Sequence, residues 1–87
     1  GYSEIVGKDG EAWTTTSTIG AGTTVVSTEL RDYGYDDLDS ASDGDDIFAN
    51  HWIIIHGTNN AQTVRRIKSY DASAGMITVS GSNLAAE

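Results

Sequence analysis

The sequence contains no cysteine and no proline, a single methionine, a single phenylalanine and only five basic residues in 87. Without cysteine, neither a disulfide staple nor a thiolate metal site can be built. Without proline, chain reversals fall to the ten glycines and to Asn and Asp, which tolerate turn conformations. Five Lys and Arg stand against thirteen Asp and Glu, for a net charge of −8. Such a chain has no basic footprint for nucleic acid or for an anionic membrane surface, so neither is expected as a partner. The longest apolar run is Trp52, Ile53, Ile54 and Ile55, far too short for a membrane-spanning helix.

What is present points to strands. Ser and Thr together number 19 and are interleaved with Val, Ile, Tyr and Trp, residues that fit a pleated, half-buried surface. No window carries helical periodicity through three turns. The expected fold is therefore all-β: a small antiparallel sandwich or partly open barrel of about six strands. It is read as one domain, with residues 1–19 as an N-terminal hairpin or arm and residues 20–87 as the core. A chain of this length buries only about 60 % of its unfolded surface, so its core is thin and a partner chain is the natural supplement. The weakly apolar strand 11–19 points the same way, and the N-terminal segment 1–19 is the part expected to extend or exchange between subunits.

Strands are predicted over residues 2–6, 11–19, 23–28, 51–56, 62–70 and 76–80. Asp9-Gly10 marks the first turn. A short helical turn is predicted near residues 45–50, capped by Asp43 or Asp45. The 51–56 segment is apolar on both faces and is placed centrally. In the 62–70 segment Val64, Ile67 and Tyr70 are three apart, whereas a flat strand needs even spacing. That predicts a bulge near Arg65-Arg66 or Lys68-Ser69. The predicted core consists of Trp52, Ile54, Phe48, Ile67, Ile77 and Val79, joined by Tyr70, with Leu84 pinning the 81–87 segment.

Few constellations could carry chemistry. Seven of the thirteen carboxylates lie within positions 32–46. Asp39, Asp43 and Asp45 resemble part of a calcium loop and make Ca²⁺ the one candidate cofactor. The match fails at Ala41 and Asn50, where such a loop wants oxygen ligands. Arg65, Arg66 and Lys68 share one strand and are expected to contact Asp36 and Asp37, within one chain or between subunits, while a neighbouring chain covers Trp13. His51 and His56 are five apart, so on one strand they face opposite ways and cannot share a metal. No Gly-x-Ser-x-Gly elbow and no phosphate-cradling glycine loop with lysine occurs, so the chain is not expected to be an enzyme. Tyr33 and Tyr35, beside carboxylates, could stack on a sugar or anchor a protein interface.

One resemblance goes further than composition. In order come Gly22-Thr23-Thr24-Val25-Val26-Ser27-Thr28-Glu29-Leu30, then Asp45-Asp46-Ile47-Phe48-Ala49-Asn50, then Trp52-Ile53-Ile54-Ile55. Gly57-Thr58-Asn59-Asn60-Ala61-Gln62, Arg65-Arg66-Ile67, Tyr70-Asp71, Gly75 and Ile77-Thr78-Val79 follow. This ordered set, spanning positions 22–84, resembles small β modules of tailed-bacteriophage virion structural proteins: decoration, neck, fibre and tail components. The resemblance implies an assembly subunit or module in a virion, capsid or tail. Its partners would be copies of itself, as a homo-oligomer, and neighbouring virion proteins. At Asn60-Ala61 the chain departs from a second turn glycine, and Asn60 is expected to supply the left-handed backbone there. Two other readings share the β physics: a surface-displayed module recognising a glycan or protein through Tyr33 and Tyr35, and an extracellular filament subunit.

Overall fold

The computed structural model describes residues 2–7, 12–30 and 46–87, with Ala12 and Trp13 described by their backbone alone. The fold is all-β, as expected. Its strands are β1 (Tyr2–Val6), β2 (Ala12–Thr16), β3 (Thr24–Val26), β4 (Trp52–His56), β5 (Thr63–Asp71) and β6 (Met76–Val79). They form one antiparallel sheet in the order β2-β1-β4-β5-β6-β3, curled into a partly open barrel. β1 pairs antiparallel with β2 and lies between it and β4, hydrogen-bonded to both.

The curl brings the two ends of the sheet together. Beyond β2, Thr18 exchanges both backbone hydrogen bonds with Val26 of β3, at 2.8 and 2.9 Å. The seam is completed by side chains. The Thr15 and Ser27 hydroxyls lie 2.5 Å apart, and Glu29 accepts from the Thr16 backbone N–H at 2.7 Å and from the Thr16 hydroxyl.

The barrel interior holds Ile5, Ile53, Ile55, Ile67, Ile77, Val25, Val79, Phe48 and Tyr70. Each such aliphatic side chain contributes about 1.5–3 kcal/mol of burial, so this cluster dominates stability. Phe48 and Tyr70 meet edge-to-face, with centroids 4.9 Å apart. The Tyr70 hydroxyl donates to the Leu30 carbonyl, which satisfies the one polar atom that this ring brings inside.

Phe48, Ile67, Ile77 and Val79 occupy the core as expected, but Trp52 and Ile54 do not. Trp52 is 45 % exposed and Ile54 is half-buried. The register explains the reversal. Ile5 pairs with Ile53 and Ser3 with Ile55, which turns the odd-numbered face of β4 inward. Strand alternation then sends Trp52, Ile54 and His56 to the outside.

The predicted bulge is present: pairing of β5 with β6 shifts between Ile67 and Ser69. The extra residue lets Ile67 and Tyr70, three apart, both point inward. The predicted helical turn is absent. Residues 46–50 form turns closed by Ala49 N–H to Asp46 O and His51 N–H to Phe48 O, with Asp46 and Asn50 at φ 62° and 68°. Left-handed residues at both ends stop the chain from continuing as a helix. The expected left-handed residue in the β4–β5 turn is also relocated, from Asn60 to Gln62 at φ 48°.

Candidate binding face and carboxylate clasp

The reversal of β4 creates an outward apolar face. Registers across β1, β4 and β5 place Val6, Trp52 and Arg66 in one row, Glu4, Ile54 and Val64 in the next, and Tyr2 and His56 in a third. Tyr2 and Trp52 are each 45 % exposed and Val64 is 49 % exposed. Two aromatics and two branched aliphatics on neighbouring rungs form a contiguous patch rather than scattered exposure.

The polar residues of this face hold its rings in place. The Arg66 guanidinium lies 5.5 Å from the Trp52 ring centroid, and its Nη2 donates to Asn50 Oδ1 at 3.4 Å. Tyr2 stacks on His56 with centroids 4.6 Å apart, and His56 Nε2 lies 2.9 Å from Glu4 Oε2. Rings fixed in this way lose less rotamer entropy when a partner arrives.

A second feature lies at the end of β4. Residues 57–60 surround the Glu87 carboxylate, beside an open cavity of about 390 Å³ lined by His56, Gly57, Thr58, Ala61, Gln62 and Glu87. Asn60 Nδ2 donates to Glu87 Oε2 at 2.5 Å. Partial burial works to raise the Glu87 pKa. The Asn60 amide and the backbone N–H groups of Asn59, Thr58 and Asn60 outweigh it and hold the carboxyl below the usual range. A Cβ on Gly57 would overlap that carboxylate and push the Glu87 side chain aside, so glycine leaves room for its close approach.

Two further carboxylates also titrate low. Glu29 at the seam is held down first by the Thr16 hydroxyl and then by the Thr16 backbone N–H. Asp71 is held down mainly by the Ser73 hydroxyl.

Among the described residues, those singled out from sequence are dispersed. Arg65 and Arg66 are adjacent on β5 and so face opposite ways. Arg66 lies on the outer face. Arg65 is half-buried, with Nη1 donating to the Val64 carbonyl at 3.1 Å and Nη2 to the Ser82 hydroxyl at 3.4 Å. Lys68 is exposed at the bulge. Trp13 contributes its backbone, opposite Ile5. Asp36, Asp37, Asp39, Asp43, Asp45, Tyr33 and Tyr35 lie outside the described residues. Among the described residues, no three His, Asp or Glu side chains gather where they could hold a metal ion. Sequence reasoning missed Tyr2, Glu4, His56 and Val64 as members of one face, and it missed the Asn60–Glu87 clasp. The face was signalled by the even spacing of Trp52, Ile54 and His56. The clasp joins residues 27 apart and had no local signal.

No family model matches this chain, and no curated protein or solved structure matches it either.

Proposed function

We propose that this chain is an assembly module of a phage-like virion, and that it docks through the Tyr2, Trp52, Ile54 and Val64 face onto copies of itself or onto neighbouring virion proteins. The observation that carries the docking is Trp52, 45 % exposed on the middle strand of an apolar sheet face. Tryptophan and tyrosine are the residues on which interface energy most often concentrates. The Glu4–His56 pair and Arg66 supply a polar rim that sets register more than affinity. The virion context is supported by the ordered sequence resemblance alone.

A protein partner fits the patch better than a glycan does. Branched aliphatics fill the rungs between the rings, and one face of each ring is already covered, by His56 and by Arg66. The test is solution molar mass by light scattering across protein concentration and salt, for the unaltered chain and for Trp52→Glu. A discrete oligomer that Trp52→Glu reduces to monomer is the expected result. A folded monomer at every concentration would refute self-docking. A selective glycan-array signal abolished by the same substitution would move the reading to sugar binding.

A further inference from the structure

Residues 84–87 are gripped as a bound peptide is gripped. Leu84 is buried, and its backbone exchanges both hydrogen bonds with Gly22, at 2.7 and 3.3 Å. Glu87 exchanges both of its own with Ile19, each at 2.7 Å. Between these two pairs the Asn60 amide takes the place of a neighbouring strand's peptide group. Its Nδ2 donates to the Ala85 carbonyl at 2.7 Å, and its Oδ1 accepts from the Ala85 N–H at 2.9 Å. Asn59 Nδ2 donates to the Ala86 carbonyl at 3.0 Å. The segment then ends in the Glu87 carboxylate, received by Asn60 above the bare Gly57.

Two properties set this contact apart from ordinary packing. Asn60 is only 6 % exposed and spends its whole amide on the segment, so the cradle is built around an extended chain. In addition, every group named as holding the segment belongs to positions 19–22 or 57–60, and none belongs to positions 81–87. The same groups would hold the same segment equally well if another molecule supplied it. The approach to the segment is suited to redirection: Gly81 has φ 100°, and Ser82 and Asn83 are exposed.

We propose that the 19–22 edge and the 57–60 loop form a receptor for an extended Leu-x-x-Glu segment, filled in cis by residues 84–87, and that a second copy's residues 84–87 take it in exchange when the protein assembles. Backbone bonds supply affinity, while the Leu84 site and the carboxylate nest supply specificity. Exchange of an identical element preserves every contact and so costs little beyond association. The surface is distinct from the Trp52 face, so either proposal can fail while the other stands.

The chain has no cysteine, so introduced thiols report cleanly. Gly20 and Ala86 flank the Ile19–Glu87 pair, both are exposed, and a Cβ on Gly20 meets open space. Full-length G20C/A86C protein would be mixed as isotopically labelled and unlabelled chains, refolded over a wide concentration range and oxidised. Mass spectrometry is expected to find position 20 of one isotope joined to position 86 of the other, in a fraction that rises with concentration. Intrachain links alone at every concentration would overturn exchange. Independently, an amidated peptide of residues 81–87 would be titrated into the chain carrying Leu84→Ala and Glu87→Gln, whose own segment is thereby weakened as a competitor, with the Thr58, Asn59 and Asn60 amide resonances as readout. Binding about tenfold weaker for the peptide carrying Gln in place of Glu87 is expected, from loss of a charge-assisted contact. Equal binding of the two peptides, or none by either, would overturn the receptor.

Discussion

The two sides of this barrel are held together by different chemistry. Along β1, β4 and β5 a regular ladder backs onto Ile5, Ile53 and Ile55, which are at most 1 % exposed. At the seam, one bridge between Thr18 and Val26 is reinforced by the Thr15–Ser27 pair and by Glu29. The interior behind the seam is correspondingly polar: Ser3, Thr15 and Ser27 are all buried there, with the Ser3 and Ser17 hydroxyls 3.0 Å apart. A small chain that cannot fill a whole barrel with hydrocarbon has filled one side and closed the other with hydroxyls. The apolar side is expected to carry most of the stability, and the polar side to open first as pH falls.

The largest expected effect is at the apolar side. Ile53→Ala should cost about 2–5 kcal/mol, through lost burial and a cavity that the surrounding strands cannot collapse. Ser27→Ala at the seam should cost about 1–3 kcal/mol, since it removes both contacts of the Ser27 hydroxyl, with the Thr15 hydroxyl and with the Leu30 N–H. Urea titrations of both proteins check the order, and equal losses would remove the distinction between the two sides. Asn60→Ala belongs with the seam in magnitude, about 1–3 kcal/mol, because it leaves the Ala85 backbone without its partner. Its mark in hydrogen exchange should be confined to residues 19–22 and 84–87.

The pH response sharpens the same contrast. The Glu29 pKa is lower in the folded chain than in the unfolded one. Its stabilisation is therefore present above the ordinary glutamate value and is lost as pH falls through that value to the folded pKa. Thr16, Thr18 and Val26 amides should lose protection in that acidic window while Ile5 and Ile53 keep theirs. Glu29→Gln should flatten the seam's response without touching the ladder. Asp71 and Glu87 are lowered too and act with the same sign, but away from the seam. The smallest effect on stability is expected outside the barrel: Trp52→Ala should move the unfolding free energy by about 1 kcal/mol or less, through loss of the Arg66 contact and of its partial burial, while it abolishes the proposed docking.

Much of this architecture is readable from local pattern. The strand order along the chain, the burial of Phe48, Ile67, Tyr70, Ile77 and Val79, and the bulge near Lys68 follow from period-two spacing and its one violation. The site is less readable. Trp52 and Ile54 look like core residues because a tryptophan and an isoleucine beside Ile53 and Ile55 leave the two faces of β4 equally apolar. Asn60 looks like a turn residue, yet its work is done by its side chain, across to Ala85 and Glu87.

The division has a physical cause. Alternation, turn chemistry and charge are properties of neighbouring residues, so the run of amino acids alone was enough to specify an acidic, all-β chain with strands where they occur. Which face of β4 turns inward depends on its register with β1, some fifty positions earlier, because Ile5 and Ser3 decide which of two apolar faces is covered. The outward Trp52 surface, the Glu29 seam and the Glu87 clasp each join residues remote in sequence. They exist only once the sheet has curled and brought its ends together.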